Sequence, residues 1–298
     1  MTTVTETEKH IQVEKRQRSR GYVGRRDTPS LGFYIIAAIT VIVSFFPTVW
    51  LFITSIKTKA DIYAWPVEYL PSPATFENYS NIFTETPELL RYILNSFVVA
   101  STTTFMILAF GGLAAYSLGR LTYRGRGVIL ILILAVSMFP PLALLPSLFN
   151  MFLELGLINT YPALIIGHMG LYMPMAIWIL SSFYKTVPME IEEAARVDGA
   201  SSLRIFWNII LPLSTPGLIS TGLIVFIFSW NEFPLALVLM SDNTMRTAPV
   251  GISLFPGEFS FPWEIISAAT MLAILPILII SGIFQDRIIG GLTAGSGK

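Results

Sequence analysis

The chain has 298 residues, of which 53% are hydrophobic and 13% are charged, about half the charged share of a typical soluble domain. The mean hydropathy of +0.66 agrees with this composition, which excludes an ordinary water-soluble fold. Since 19 basic and 19 acidic side chains cancel, no net charge indicates a nucleic-acid partner. Without cysteine there are no disulfides or thiol nucleophiles. Since two histidines leave little with which to bind a metal ion, we predict no metal site.

Six apolar stretches are each long enough to cross a hydrocarbon core, which takes about 20 apolar residues. They lie at 31–56, 92–118, 128–148, 161–183, 216–239 and 265–283. None has Lys or Arg in its middle, where a charge is costly. Their prolines are expected to kink or break the helices; these are Pro47, Pro140, Pro141, Pro174 and Pro276. The sequence therefore predicts an all-α, polytopic membrane bundle with about six transmembrane helices and lipid as its surroundings.

Basic residues predict the orientation, because Lys and Arg remain on the cytoplasmic side during insertion. With the N-terminus inside, 15 of the 19 basic residues fall on the cytoplasmic side, and seven of these precede the first stretch. We therefore expect a multi-pass protein of the cytoplasmic (inner) membrane with both termini in the cytoplasm. The expected organisation is a cytoplasmic basic tail at 1–30 and a transmembrane domain at 31–298.

A patterned polar segment at 185–216 separates the fourth and fifth stretches. Pro188 suits the first turn of a helix, Gly199 can end that helix, and Ser201 or Ser202 can cap the next one. The segment is too polar to span a membrane. It predicts a helix, a sharp turn and a second helix that lie against the inner membrane face.

The same segment carries a spaced signature. Its residues are Glu193, Ala194, Ala195, Asp198, Gly199, Ala200, Ile209, Leu211, Pro212 and Pro216. This pattern resembles the EAA loop of ABC importer permeases. The resemblance extends to Asn95 and Ser96, to the stretch LGLINTY at 155–161, and to the run Trp230, Asn231, Glu232 and Phe233. Together these features are similar to the MalG-like permeases of binding-protein-dependent carbohydrate importers.

The resemblance implies the ABC type I importer permease fold and a coupling role for the loop at 185–216. In that family the loop docks on an ATPase subunit and transmits its closure to the membrane helices. The matching coupling residues here are Glu193, Ala194, Ala195, Asp198, Gly199, Ala200, Leu211 and Pro212. Small side chains allow close approach, and the two carboxylates can meet basic groups or helix ends on the partner.

The resemblance also implies the other subunits: a second, MalF-like permease, two copies of an ABC ATPase and an extracytoplasmic solute-binding protein. Nothing in this sequence matches the glycine-rich phosphate loop that ends in Gly-Lys-Ser or Gly-Lys-Thr. We therefore expect the partner ATPase to bind ATP and Mg, and this chain to be a transport subunit without cofactor or catalytic residues.

A hydrophilic solute needs polar or aromatic groups that face the space between the helices. The best candidates are Asn231 and Glu232, followed by His168, Tyr172 and Asn95. Aromatic faces pack on sugar rings while amides and carboxylates bind hydroxyls, so the set suits a di- or oligosaccharide. Each residue can instead bond a neighbouring helix, which contributes about 1 kcal/mol. The partner permease is the other possible source of most contacts.

The segment from 240 to 264 contains Gly251, Pro256 and Gly257, which can shape a probe. In MalG-like permeases the corresponding loop reaches into the binding protein, so the resemblance implies the same contact here.

Two alternatives stay open from sequence. A permease for another polar solute is one, although a phosphate would call for basic groups that the apolar stretches lack. A secondary carrier or channel is the other, but it would leave the acidic, patterned segment at 185–216 without a role.

Overall fold

The computed structural model describes residues 30–255 and 261–294, and every regular element in them is helical. In chain order the helices are α1 Leu31–Ser55, α2 Lys59–Ile62, α3 Glu77–Thr84, α4 Glu88–Met106, α5 Gly112–Arg120, α6 Arg126–Ser137, α7 Pro141–Glu154, α8 Tyr161–Thr186, α9 Met189–Val197, α10 Ser202–Ile205, α11 Leu211–Leu213, α12 Thr215–Trp230, α13 Pro234–Leu239, α14 Ala248–Ser253 and α15 Trp263–Ala294. A short π-helix at Ile107–Gly111 (the π-turn below) joins α4 to α5, and a second at Phe206–Ile210 joins α10 to α11.

The chain falls into two units, one that ends at Trp50 and one that begins at Leu51. Most of α1 belongs to the first unit, and all the later helices belong to the second. The predicted basic tail lies, up to residue 29, outside the described residues.

Within residues 30–255 and 261–294, four helices are long and apolar enough to cross a membrane: Leu31–Ser55, Glu88–Arg120, Tyr161–Thr186 and Trp263–Phe284. Two further pairs of helices pass the same criterion if each bent pair counts as one span, which gives up to six. The prediction of about six spans in an all-α membrane bundle is therefore confirmed. Pro47, Pro174 and Pro276 lie inside α1, α8 and α15, which continue through them.

The third stretch, predicted as one span at 128–148, is instead two helices that meet at 92°. Helix α6 ends at Ser137, and α7 begins at Pro141 after an extended Pro140. Proline lacks the backbone N–H of a helical residue, and its ring clashes with the preceding turn. The prediction that Pro140 and Pro141 kink or break this stretch is therefore confirmed.

The fifth predicted stretch, 216–239, also ends earlier than its hydropathy suggests. Helix α12 stops at Trp230, and α13 starts separately at Pro234. At its other end the helical run Ser202–Leu213 meets α12 at 80°. The sequence stays apolar through 234–239, but the helix does not continue past Trp230.

Helices α4, α5, α8, α12 and α15 form the packed centre of the second unit. Helix α12 packs on α4, α8 and α15, while α5 packs along α8. One apolar cluster lies at the end of the bundle near α9 and includes Ala115, Tyr116, Leu180, Tyr184, Ile205, Phe206 and Ile210. A second lies near α13 and includes Val99, Phe152, Leu164, Leu235, Leu239 and Val250. We call these two regions the α9 end and the α13 end.

Candidate functional site

The α9 end contains the predicted helix, turn and helix. Helix α9 begins after Pro188, and Gly199 follows it with a φ of 83° in the left-handed region. The Ser201 hydroxyl accepts a hydrogen bond from the backbone N–H of Arg204 at 3.4 Å, so Ser201 is the cap of the next helix. A Cβ built on Gly199 would meet nothing within 4 Å. The requirement for glycine is therefore conformational rather than steric.

The predicted coupling residues divide into an exposed set and a packed set. Glu193, Ala194, Asp198, Gly199 and Pro212 are exposed. Ala195, Ala200 and Leu211 are half-buried against the apolar cluster of the α9 end. The exposed residues are accessible to a partner, and the packed residues fix this part of the chain to the bundle. Contact with an ATPase stays a prediction.

Glu192, the neighbour of Glu193, is fully buried and was not among the predicted site residues. Its carboxylate accepts a hydrogen bond from Nε of Arg120 at 2.5 Å and lies 3.3 Å from the guanidinium of Arg196. Arg120 also donates to the backbone carbonyl of Val187 at 2.8 Å. The end of α5 is thus bonded to the start of α9.

At the α13 end, the side chain of Glu232 caps the start of α13 from the position just before its N-cap residue, Phe233. Its two carboxylate oxygens accept hydrogen bonds from the backbone N–H groups of Leu235 at 2.7 Å and Ala236 at 3.0 Å. His168, which is fully buried, lies 3.4 Å from the same carboxylate, and its other ring nitrogen lies 2.7 Å from the Ser229 hydroxyl. These bonds satisfy the N–H groups that a helix start leaves unpaired. His168 and Glu232 therefore position α13.

A cavity of about 480 Å³ lies beside this cap. Three of the five predicted solute residues line it: Tyr172, Asn231 and Glu232. Phe228, Phe233 and several leucines form the apolar part of the lining. The Tyr172 hydroxyl donates to the carbonyl of Phe228 at 3.3 Å, and the exposed Asn231 amide donates to the carbonyl of Ile227 at 2.8 Å. The cavity thus offers aromatic faces beside a few polar groups.

Asn95 and His168 are not among the residues that line this cavity. Asn95 is buried and donates to the backbone carbonyls of Thr244 at 3.0 Å and Arg246 at 2.8 Å. Its own carbonyl accepts a hydrogen bond from the Tyr161 hydroxyl at 2.7 Å. The hydrogen bonds of its amide thus hold the chain after α13.

Three further residues hold the segment 241–251. Ser96 accepts a hydrogen bond from the backbone N–H of Ala248 at 2.8 Å, and Tyr92 donates to the side-chain oxygen of Asn243. Asn159, with a φ of 60°, accepts from the backbone N–H of Asp242 at 2.8 Å. We call the four residues Tyr92, Asn95, Ser96 and Asn159 the clasp.

The clasped segment is closely packed at one point and carries a local turn at another. A Cβ on Gly251 would overlap the ring of Tyr92, so only glycine fits there without displacement. The backbone N–H of Thr244 donates to the carboxylate of Asp242 and lowers the pKa of that side chain. Pro256 and Gly257, the other predicted residues of this loop, lie outside the described residues.

The comparisons with known proteins agree on one family. The family described as binding-protein-dependent transport system inner membrane component matches residues 107–292. The sulfoquinovosyl glycerol transport system permease protein SmoH of Agrobacterium fabrum is 40% identical over 89% of this chain and 93% of its own length. The trehalose/maltose transport system permease protein MalG of Thermococcus litoralis is 39% identical over 89% of this chain and 95% of its own.

Solved structures confirm the fold. A bacterial ABC transporter involved in the import of the acidic polysaccharide alginate has a chain that matches with a TM-score of 0.75 and 23% identity, over 86% of this chain and 95% of that one. This agreement at low identity shows the ABC importer permease fold. The chain therefore belongs to the inner membrane components of binding-protein-dependent transport systems, and it is a permease subunit rather than an enzyme.

Proposed function

We propose that the chain forms one half of the translocation pathway of an ATP-driven sugar importer, with a second related permease as the other half. The observation that carries this proposal is the exposed face of α9, with Glu193, Ala194 and Asp198, in a chain of this permease family. The names of the relatives SmoH and MalG specify sugars or a sugar derivative, which supports a carbohydrate solute.

In this proposal α9 docks on a cytoplasmic ATPase subunit, of which the importer holds two copies. The ATPase binds ATP and Mg, so the free energy of hydrolysis enters this chain as a displacement of α9. The distribution of basic residues favours the α9 end as the cytoplasmic side. Both termini then lie in the cytoplasm, and the α13 end faces out.

The cavity beside α13 is the proposed place of solute contact. Its volume of about 480 Å³ lies in the range of about 300–1,000 Å³ that small-molecule sites occupy. Phe228 and Phe233 supply faces for a sugar ring, and Asn231 and Tyr172 supply groups for hydroxyls. Glu232 acts mainly by positioning α13, because both of its oxygens accept backbone hydrogen bonds.

The segment 240–264 is the proposed contact with the solute-binding protein. Through Tyr92, Asn95 and Ser96 the clasp fixes the first part of this segment to the N-terminal half of α4, so a push on the segment would reach the membrane helices directly. Gly251, Pro256 and Gly257 are the residues that we assign to this contact.

The test is uptake by the importer reconstituted in proteoliposomes with its partner subunits and binding protein. Labelled trehalose and maltose are compared with a charged solute such as putrescine, with and without internal ATP. Glu193→Lys should abolish uptake in a complex that still assembles, because it reverses a charge on the docking face. Glu154→Lys makes the same change at an exposed position away from α9 and should leave uptake intact. Sugar uptake that persists without ATP would refute the importer, and preferred uptake of putrescine would refute the sugar.

A further inference from the structure

The connection between α5 and α9 is a buried charged group with several directional bonds. Arg120 is the last residue of α5 and is only 6% exposed, which is rare for arginine. Its guanidinium donates to Glu192 at 2.5 Å, to the carbonyl of Val187 at 2.8 Å and to the carbonyl of Pro188 at 3.5 Å. One side chain thus binds α9 and the two residues that lead into it.

Helix α9 also makes apolar contact with the bundle. Ala195 packs against the apolar cluster of the α9 end, while Glu193, Ala194 and Val197 are exposed. Apolar contacts can slide, whereas a planar guanidinium bonded to a carboxylate and to carbonyls fixes both distance and angle. A displacement of α9 is therefore passed to α5 through the bonds of Arg120.

Stability alone does not account for this buried pair. The cost of removing two charges from water offsets most of their attraction, and well-packed apolar residues stabilise such a position equally well. What the pair adds to an apolar contact is a fixed distance and angle between α5 and the start of α9.

Helix α5 is continuous with α4, which carries three of the four clasp residues. The span Glu88–Arg120 runs without a sharp bend from Arg120, through the π-turn Ile107–Gly111, to Asn95 and Ser96 at its far end. Those two residues bind the backbone of the segment 241–251. One span thus carries the bond to α9 at one end and the bond to that segment at the other.

We propose that Arg120 and Glu192 are positioning residues that transmit the displacement of α9 to the span Glu88–Arg120, and through its clasp to the segment 241–251. This inference rests on the proposed function, and it assigns a role different from docking: Glu193 faces the partner, whereas Glu192 connects the docked helix to the membrane.

The experiment measures the ATP hydrolysed per sugar imported by the complete importer in proteoliposomes. In Arg120→Gln the side chain loses its charge and most of its donors, so uptake should fall about fivefold or more relative to hydrolysis. Arg120→Lys keeps the charge but not the fork of donors. Its ratio of ATP hydrolysed to sugar imported should lie between the wild-type ratio and that of Arg120→Gln. A wild-type ratio in an assembled Arg120→Gln complex would overturn the proposal.

A paired variant separates transmission from folding. Arg120→Met combined with Glu192→Leu replaces both charges by apolar side chains and should assemble at wild-type yield while its ratio stays raised. A wild-type ratio in this variant would show that the pair is only structural and would overturn the proposal. The double variant Arg120→Gln with Glu192→Gln should be no worse than either single change, since the two act as a unit. If the losses of coupling in the two single variants added up in the double variant, the two residues would not act as a unit and the proposal would be overturned.

The matched control is Arg124→Gln, an exposed arginine four residues along the chain. It should keep the wild-type ratio; a raised ratio would overturn the proposal, because any loss of positive charge at this end would then suffice. If the wild-type importer shows no ATP-driven sugar uptake, the proposed function fails. If it imports sugar and the ratio ignores Arg120, only the transmission proposal fails.

Discussion

The two ends of the span Glu88–Arg120 hold their neighbouring segments by different chemistry. At the α9 end a buried arginine binds a buried carboxylate, Glu192. At the α13 end the neutral side chains of Asn95 and Ser96 bind backbone atoms of the segment 241–251. A bond to backbone depends on the path of the segment but not on its side chains, whereas the ion pair requires one particular residue.

This difference predicts unequal tolerance to substitution. Side chains at 244, 246 and 248 can change while Asn95 and Ser96 still find their backbone partners. Glu192 has no such freedom, because its loss would leave the Arg120 guanidinium buried without its carboxylate. The following predictions test that contrast, from the largest expected effect to the smallest.

Glu192→Ala should have the largest effect on stability. It leaves a buried arginine unpaired, which typically costs about 3–5 kcal/mol. We expect a clear fall in the thermal denaturation midpoint of the purified complex. Glu190→Ala, an exposed glutamate on the same helix, is the control and should leave the midpoint unchanged. Equal midpoints for the two variants would show that the buried pair contributes nothing.

Gly251→Ala should have the second-largest effect on stability. The added Cβ would overlap the ring of Tyr92, and moving that ring breaks its bond to Asn243. Overpacking of this kind costs about 1–3 kcal/mol. The midpoint should fall, and the segment 241–251 should become more sensitive to protease. Gly170→Ala places a methyl group in open space and should change neither measurement.

Asn95→Ala removes two donated hydrogen bonds and one accepted one. At about 0.6 kcal/mol for a typical polar contact between membrane helices, the total is about 2 kcal/mol. Protease should cut the segment 241–251 faster, while ATP hydrolysis without the binding protein stays unchanged. Asn231→Ala removes an exposed amide bonded to its own helix and should leave the cleavage rate unchanged. Unchanged cleavage in Asn95→Ala would mean that the clasp does not hold the segment.

How far the sequence predicted these features depends on how local their signals are. Pro188, Gly199 and Ser201 act within a few residues, so the helix, turn and helix of the α9 end were predicted correctly. Arg120 and Glu192 lie 72 residues apart, and no local pattern joins them. Their pairing depends on how α5 packs against the residues before α9.

Hydropathy misled at the end of the fifth stretch. The residues 234–239 are as apolar as a span, so the fifth stretch was extended through them, but Pro234 and the cap from Glu232 start a new helix. For Asn95 the sequence left two roles open, contact with the solute or a bond to a neighbouring part of the chain, because it is a polar residue in an apolar stretch. Such a residue satisfies backbone groups as readily as it binds a ligand, and only the tertiary structure distinguishes the two roles.

Gly199→Ala should have the smallest effect on stability and the most specific one on coupling. A left-handed residue with a Cβ costs about 1 kcal/mol, and nothing crowds the new methyl group. The midpoint should move little, whereas ATP-driven uptake should fall, because relaxing this turn rotates the exposed residues of α9 relative to α10. Gly127→Ala also adds a methyl group in open space, but without a positive φ, and should preserve uptake. Full uptake in Gly199→Ala would show that the docking face tolerates a change in this turn, and the carboxylates of Glu193 and Asp198 would then carry the contact without precise placement.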